Sequence, residues 1–180
     1  MRRPLACLLA AALVLLAPAA AHAGTAAKND PADVDGRLDL KRVVMKTPGK
    51  HIVGTIRTHE AFADDDLTGT ATIGADFKVG KNKLRSVVIV HRNGQLRGKV
   101  CTYTPGGPVN GKACSKVKVT RPHTSAIRFK VARAKIAKGA KTYRWNAGSF
   151  ASAGAAGCTS SDWCRDTLGR NPGVWFTLTV

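Results

Sequence analysis

The sequence has few acidic residues, and they are unevenly distributed. Glu60 is the only glutamate, and no Asp or Glu occurs from Phe77 to Ser161, a stretch that contains 18 Lys and Arg residues. The formal net charge of the 180-residue chain is +18. A charge distribution this one-sided attracts polyanions and repels cationic partners. The composition therefore favours an anionic partner.

The motifs that mark several enzyme classes are also missing. No Gly-x-Ser-x-Gly elbow surrounds Ser149 or Ser152, and neither an HExxH zinc motif nor a phosphate-binding glycine loop is present. A glycosidase would have to pair Glu60 with an aspartate, and nothing in the sequence points to such a pair. We therefore predict a non-catalytic protein and keep a small secreted hydrolase as an alternative.

Only one long apolar run occurs, and it lies at the N-terminus. Residues Leu5 to Leu16 follow the basic pair Arg2-Arg3 and precede Ala21-His22-Ala23. The run is shorter than the ~20 residues that cross a bilayer, and this order of features is that of a secretory signal peptide. We predict a signal-peptide helix at residues 1–23. Its removal on export would leave a secreted chain that begins near Gly24 and has no integral membrane span.

The cysteines that follow this segment lack the CxxC spacing of structural zinc sites. They are Cys101, Cys114, Cys158 and Cys164. An even number of cysteines in an exported chain indicates disulfides, and three pairings are open. We favour Cys101–Cys114 and Cys158–Cys164, because each pair is close in sequence and encloses turn-forming residues.

Long helical patterns are absent as well, and period-two alternation dominates. Residues 24–36 are small and polar and are predicted to form a flexible leader, followed by one β-sandwich domain at residues 37–180. Strand-like runs at 84–92 and 95–103 flank Asn93-Gly94, a dipeptide typical of a type I′ hairpin turn. The predicted fold is an all-β, antiparallel sandwich with two short-range disulfides.

Several short segments carry a family resemblance. An acidic stretch leads into GRLDLKRVVM, and the segments HIVGTIRTHEAF, TYRWNA and CTSSDWCRD follow it along the chain. Together they resemble small secreted actinobacterial β-sandwich proteins of uncharacterised function. The resemblance implies a sandwich in the style of carbohydrate-binding and DOMON-like modules, and it implies no catalytic residues.

A second hairpin is predicted to carry a basic stripe. If Val117 faces Phe129 and Val119 faces Ile127 in the core, four cations share the opposite face: Lys116, Lys118, Arg128 and Lys130. Such a fixed array attracts polyanions. We therefore predict that the stripe contacts an anionic polymer or polysaccharide of the cell envelope, with no specific nucleic acid as a partner. A charged face that serves only to keep the protein in solution is the alternative.

An exposed aromatic ring suggests a different binding function. Trp163 lies between Asp162 and Cys164 in the second cysteine loop and is the tryptophan predicted to be exposed, whereas Trp145 is predicted to pack in the core. Because exposed rings stack on sugars, a carbohydrate-binding module that uses Trp163 is the second functional hypothesis.

No complete calcium loop is present, and no cofactor is predicted from one. The acidic segment around Gly36 resembles the middle of such a loop, but Pro31 stands where the first carboxylate belongs. Two acidic groups nevertheless remain candidates for binding Ca²⁺. They are Asp33, Asp35 and Asp39, and the run Asp64-Asp65-Asp66.

Overall fold

The computed structural model describes residues 24–81, 83–103, 114–169 and 173–180. The predicted signal peptide lies outside these ranges. The described residues form one short α-helix, α1 (Arg133–Ala137), two 3-10 turns (Asp64–Leu67 and Ala155–Gly157) and eleven strands. The strands are β1 (Thr25–Asn29), β2 (Leu40–Lys46), β3 (His51–Thr58), β4 (Thr72–Gly80), β5 (Lys83–Arg92), β6 (Gln95–Tyr103), β7 (Ser115–His123), β8 (Ala126–Ala132), β9 (Thr142–Ser152), β10 (Trp163–Thr167) and β11 (Phe176–Thr179).

All strand pairs are antiparallel, and the strands follow one path through the sheet. The order is β1-β2-β3-β8-β7-β6-β5-β4-β9-β10, and β11 pairs with β9 beside β10. Strand β7 connects the two layers, because residues 115–117 pair with β6 whereas residues from Lys118 onward pair with β8. The sheet therefore folds over itself, which confirms the predicted antiparallel β-sandwich.

The core lies between the two layers and follows the period-two alternation. Trp145, Phe77 and Phe129 are completely buried, as predicted for Trp145. Gly54 in β3 makes room for one of these rings, because a Cβ at that position would lie 2.2 Å from the Phe129 ring. Burial of such large side chains is the main favourable contribution to the stability of a fold of this kind.

The first predicted hairpin is confirmed. Strands β5 and β6 pair from Leu84 opposite Tyr103 to Arg92 opposite Gln95. The two turn residues, Asn93 and Gly94, have φ angles of 52° and 70°. Positive φ at both central positions is the requirement of a type I′ turn.

The second predicted hairpin forms, but its predicted register is wrong by two residues. Val119 faces Phe129, Lys118 faces Lys130, and Thr120 faces Arg128. The register differs because β7 turns from one layer to the other after residue 117 and has an irregularity between Thr120 and His123. A shift of two residues preserves which face a side chain occupies, so the inward and outward sets are unchanged.

Part of the predicted flexible leader belongs to the sheet. Residues Thr25–Asn29 form β1, which pairs with β2 along its whole length. Thr47 holds this edge close to β11, since its hydroxyl oxygen lies 3.4 Å from the carbonyl oxygens of both Gly24 and Thr179. Small polar residues suit an edge strand as well as a loop, so composition alone did not distinguish the two.

Both predicted disulfides are confirmed. Cys101 is bonded to Cys114 with a Cα–Cα distance of 4.1 Å, and Cys158 to Cys164 with a distance of 5.6 Å. The second bond joins the segment before β10 to β10 itself. In the described part of the chain, no helix has the length and apolar character needed to span a membrane.

Candidate functional site

A group of cations covers the outer side of the layer formed by β1, β2, β3, β8 and the end of β7. They alternate along the strands with buried residues such as Val43, Ile56 and Phe129, so the core positions force them outward. We call this surface the basic face. Its cations are Arg42, Lys46, Arg57, Lys118, Arg128 and Lys130.

Strand pairing places like charges beside each other on the basic face. Arg42 lies directly opposite Arg57 across the β2–β3 pair, and Lys118 lies opposite Lys130 across the β7–β8 pair. Arg128 lies between these two pairs, where its Nε donates a hydrogen bond to Thr55 Oγ1 at 3.2 Å. Like charges directly opposite each other destabilise a sheet slightly, so this arrangement has an energetic cost.

The basic face is a shallow groove and not a flat surface. A depression of about 590 Å³ crosses β1, β2, β3 and β8, and a second one of about 290 Å³ continues it toward β7. Val53 and Arg128 line both depressions, so the two are continuous. Within the described ranges, no Asp or Glu lines either of them.

Three of the four cations predicted for the stripe lie on the basic face: Lys118, Arg128 and Lys130. Lys116 does not, because it precedes the bend in β7 and lies opposite Lys99 of β6. Sequence reasoning missed Arg42, Lys46 and Arg57. Their alternation with buried residues signalled that they point outward, but only the long-range pairing of β3 with β8 brings them beside the predicted stripe.

The acidic run Asp64-Asp65-Asp66 is engaged by basic side chains. It lies in a short 3-10 turn, Asp64–Leu67. Asp64 pairs with Arg121 and Asp65 with His91, each at 3.0 Å, and Asp66 pairs with Arg37. The Arg37 guanidinium holds the pKa of Asp66 below its usual range. Asp64 and Asp66 thus each have an arginine as partner and the exposed Asp65 has an imidazole, so the mutual repulsion that suggested a Ca²⁺ site here is already relieved.

The other predicted Ca²⁺ ligands separate in the structure. Asp33 lies with Asp30 and Asp166 in a group whose carboxylate oxygens are within 4.8 Å of one another. Asp39 is buried beside this group, whereas Asp35 accepts a hydrogen bond from Thr159 Oγ1 at 2.6 Å instead. We call Asp30, Asp33, Asp39 and Asp166 the acidic cluster.

Electrostatics within the acidic cluster are unfavourable to ionisation. Burial, reinforced by the neighbouring carboxylates and opposed by the Leu40 N–H, raises the pKa of Asp166 to about 7. Burial also raises the pKa of Asp39, and His59 opposes that effect. Asp166 was not identified from the sequence, because it is 127 residues from Asp39 and comes near it only in the folded chain, where the Leu40 N–H donates to Asp166 Oδ2.

The opposite layer carries the exposed aromatic ring. Trp163 is 60 % exposed, as predicted, and its ring centroid lies 6.5 Å from that of Phe150 on β9. A shallow depression lies along the same outer surface, with Gly74 and Gly148 in its lining. Asp76 also lines it, and burial raises the pKa of this carboxyl although Ser86 and Arg165 oppose the effect.

The fold and these surfaces define a class: a disulfide-bonded antiparallel β-sandwich with a basic groove on one layer and an exposed tryptophan on the other. Comparison with protein-family models, with curated proteins and with solved structures finds no match to this chain. The resemblance to small secreted actinobacterial sandwich proteins therefore stays a prediction.

Proposed function

We propose that this chain is an exported, non-catalytic binding domain whose basic face holds an anionic polymer of the cell envelope. The observation that carries the proposal is the groove on that face. It presents six cations on four neighbouring strands, and within the described ranges no carboxylate lines it. A polymer with regularly spaced anionic groups would contact several of these cations at once.

In this proposal the affinity comes from several weak ion pairs that form at the same time. A single exposed ion pair contributes only about 0.2–1 kcal/mol, so one contact cannot hold a ligand. Arg42 and Arg57 offer two guanidinium groups on adjacent strands, and such groups bind phosphate or carboxylate oxygens in a bidentate way. An anion between them would also relieve their mutual repulsion.

Two observations support the proposed export. The two disulfides are typical of chains that fold in an oxidising compartment. The sequence of residues 1–23 has the order of features of a signal peptide. Recovery of the processed chain from culture medium, with an N-terminus near Gly24, is the expected result.

The groove is tested with a triple variant, Arg42→Gln, Arg57→Gln and Arg128→Gln. The probes are immobilised long-chain polyphosphate and polygalacturonate, measured over a salt series. We expect the parent to bind at low salt and to lose affinity as the screening length falls below ~10 Å. The triple variant should bind at least about tenfold more weakly, because three of the six contacts are removed.

A matched variant separates the groove from overall charge. Arg92, Arg97 and Arg144 are exposed and lie on strands of the other layer. Changing all three to Gln removes the same charge and should leave most of the binding intact. Equal losses in the two triple variants would show that net charge, and not the groove, attracts the polymer.

A second candidate function is supported by the 60 % exposure of Trp163. A carbohydrate-binding module would use this ring, with Phe150 beside it, as a stacking platform. Binding to neutral polysaccharides such as cellulose or chitin should then be nearly independent of salt and should be abolished by Trp163→Ala. Absence of such binding in the parent would leave the basic face as the binding surface.

A further inference from the structure

The acidic cluster brings together parts of the chain that are far apart in sequence. Asp30 follows β1, Asp33 and Asp39 lie between β1 and β2, and Asp166 belongs to β10. One carboxylate oxygen from each of Asp30, Asp33 and Asp166 lies within 4.8 Å of the others. Oxygen ligands about 2.3–2.6 Å from a single Ca²⁺ ion are separated by distances of this order.

The buried side chain of Asp39 is a second reason to expect a cation at the acidic cluster. This side chain is only 5 % exposed, and its Oδ1 atom has no hydrogen-bond partner among the described residues. Its carboxyl lies beside the other members of the cluster, since Asp166 and Asp33 both interact with it. The Asp33 backbone, the Asp166 carboxyl and His59 already interact with this side chain, so Oδ1 is the oxygen that is left without a donor. Burial of such an oxygen is costly, and a cation beside it would remove that cost.

The donor atoms indicate which cation fits. The cluster offers carboxylate oxygens, which are hard ligands of the kind that Ca²⁺ prefers. His59 is the neighbouring imidazole, but its Nε2 lies 3.1 Å from the backbone carbonyl oxygen of Asp30 and is thereby occupied. Among the described residues, the group whose ligand atoms lie close enough to share one ion contains no His or Cys, so it lacks the nitrogen and sulfur ligands that are typical of zinc sites.

Backbone N–H groups orient two of the carboxylates. Leu40 N–H donates to Asp166 Oδ2, and Gly169 N–H donates to Asp30 Oδ1 at 2.8 Å. Such outer contacts fix the direction in which a ligand presents its remaining lone pairs. Asp33 is the exposed member of the group, so the cluster has an opening to solvent through which an ion can enter.

We propose that the acidic cluster binds one Ca²⁺ ion. Asp30, Asp33 and Asp166 would be its ligands, and the Asp39 carboxylate would add negative charge beside them. The bound ion would fasten the segment between β1 and β2 to strand β10. This site differs from the one expected from the sequence, because Asp166 and Asp30 take the place of Asp35.

The test uses the disulfide-intact chain after removal of divalent ions with EDTA. Isothermal titration with CaCl₂ should show one saturable site, and the midpoint of thermal unfolding should rise with Ca²⁺ concentration because the ion binds only the folded state. MgCl₂ should give a smaller shift, since Mg²⁺ requires a tighter octahedral arrangement.

Two single variants with the same charge change locate the site. Asp33→Asn alters the exposed ligand and is expected to fold normally, and it should weaken Ca²⁺ binding at least about tenfold, because even outer-shell losses cost 10–100-fold. Asp35→Asn lies two positions away, outside the acidic cluster, and should bind Ca²⁺ like the parent.

Three results would overturn the proposal. One is the absence of both a binding heat and a thermal shift in the parent at millimolar CaCl₂. The second is an equal loss in Asp33→Asn and Asp35→Asn, which would mean that Ca²⁺ responds only to local negative charge. The third is a parent indifferent to Ca²⁺ that Asp39→Asn stabilises in EDTA, which would mean that Asp39 and Asp166 share a proton instead of a metal ion.

Discussion

The turn Asp64–Leu67 and the basic face differ in how the fold surrounds their charges. Each aspartate of the turn meets one basic side chain from a distant part of the chain: Arg37, His91 or Arg121. The cations of the basic face instead have one another as neighbours, with Arg42 opposite Arg57 and Lys118 opposite Lys130. The same protein therefore contains a turn whose carboxylates are paired with basic side chains and a face whose cations are paired with one another. Two further like-charge pairs, Lys78 opposite Arg144 and Lys99 opposite Lys116, lie outside that face.

The difference assigns distinct roles to the two regions. Ion pairs that join distant segments restrain the chain, and the pair Arg37–Asp66 connects the segment before β2 to the turn before β4. An array of like charges instead destabilises the sheet that carries it. The acids of the turn thus belong to the structure of the fold, whereas the basic face, which combines like-charge pairs with a groove, is the surface for which we propose a ligand.

The largest expected effect comes from breaking the ion pairing of the turn at Asp66. Its carboxylate receives Arg37 Nε at 2.9 Å and the Ala63 N–H at 2.8 Å, and it is mostly buried. Asp66→Asn should lower the free energy of unfolding at pH 7 by about 1–2 kcal/mol, discounted because Arg37 is partly exposed. Urea denaturation measures the change.

The pH dependence of that effect follows from the direction of the pKa shift. Arg37 lowers the pKa of Asp66 in the folded state, so the stabilisation is present above the unfolded value near 3.8 and is lost as the pH falls through the folded value. Parent and Asp66→Asn should therefore differ at pH 7 and converge in strong acid. Asp65→Asn is the control, since Asp65 is 85 % exposed and should have little effect at any pH. A difference between parent and Asp66→Asn that stayed constant from pH 7 into strong acid would contradict the assignment.

Local features of the fold were predictable from the sequence, and long-range ones were not. Asn93-Gly94 fixed a hairpin because both residues tolerate positive φ, and the short spacing of Cys158 and Cys164 favoured their pairing. The bend of β7 between layers depends on the whole sheet, so the register of Lys118 against Lys130 was missed. The outward direction of these side chains survived, because a two-residue shift preserves the face.

The candidate sites were likewise predictable only where they depend on local patterns in the sequence. Lys118, Arg128 and Lys130 were found from the alternation of two neighbouring strands, which is a local pattern. Arg57 joins them only because β3 pairs with β8, more than 60 residues later in the chain. Asp166 likewise joins Asp33 through contacts that no spacing rule contains, which is why the candidate Ca²⁺ ligands had to be reassigned.

The smallest expected effect distinguishes the destabilisation caused by like-charge pairs from the contribution of the same cations to ligand binding. Lys130 lies opposite Lys118 on the basic face, and Lys99 lies opposite Lys116 in the β6–β7 pair outside it. Because each change relieves one like-charge pair, Lys130→Gln and Lys99→Gln should both raise the free energy of unfolding at low salt by about 0.2–1 kcal/mol. The gain should fade as salt screens the repulsion, which urea denaturation at two ionic strengths can measure. Only Lys130→Gln should also weaken binding to polyphosphate, because only this residue lines the groove. If both variants gained stability and neither lost affinity, repulsion on the basic face would have no connection to ligand binding, and the face would serve only to keep the protein in solution.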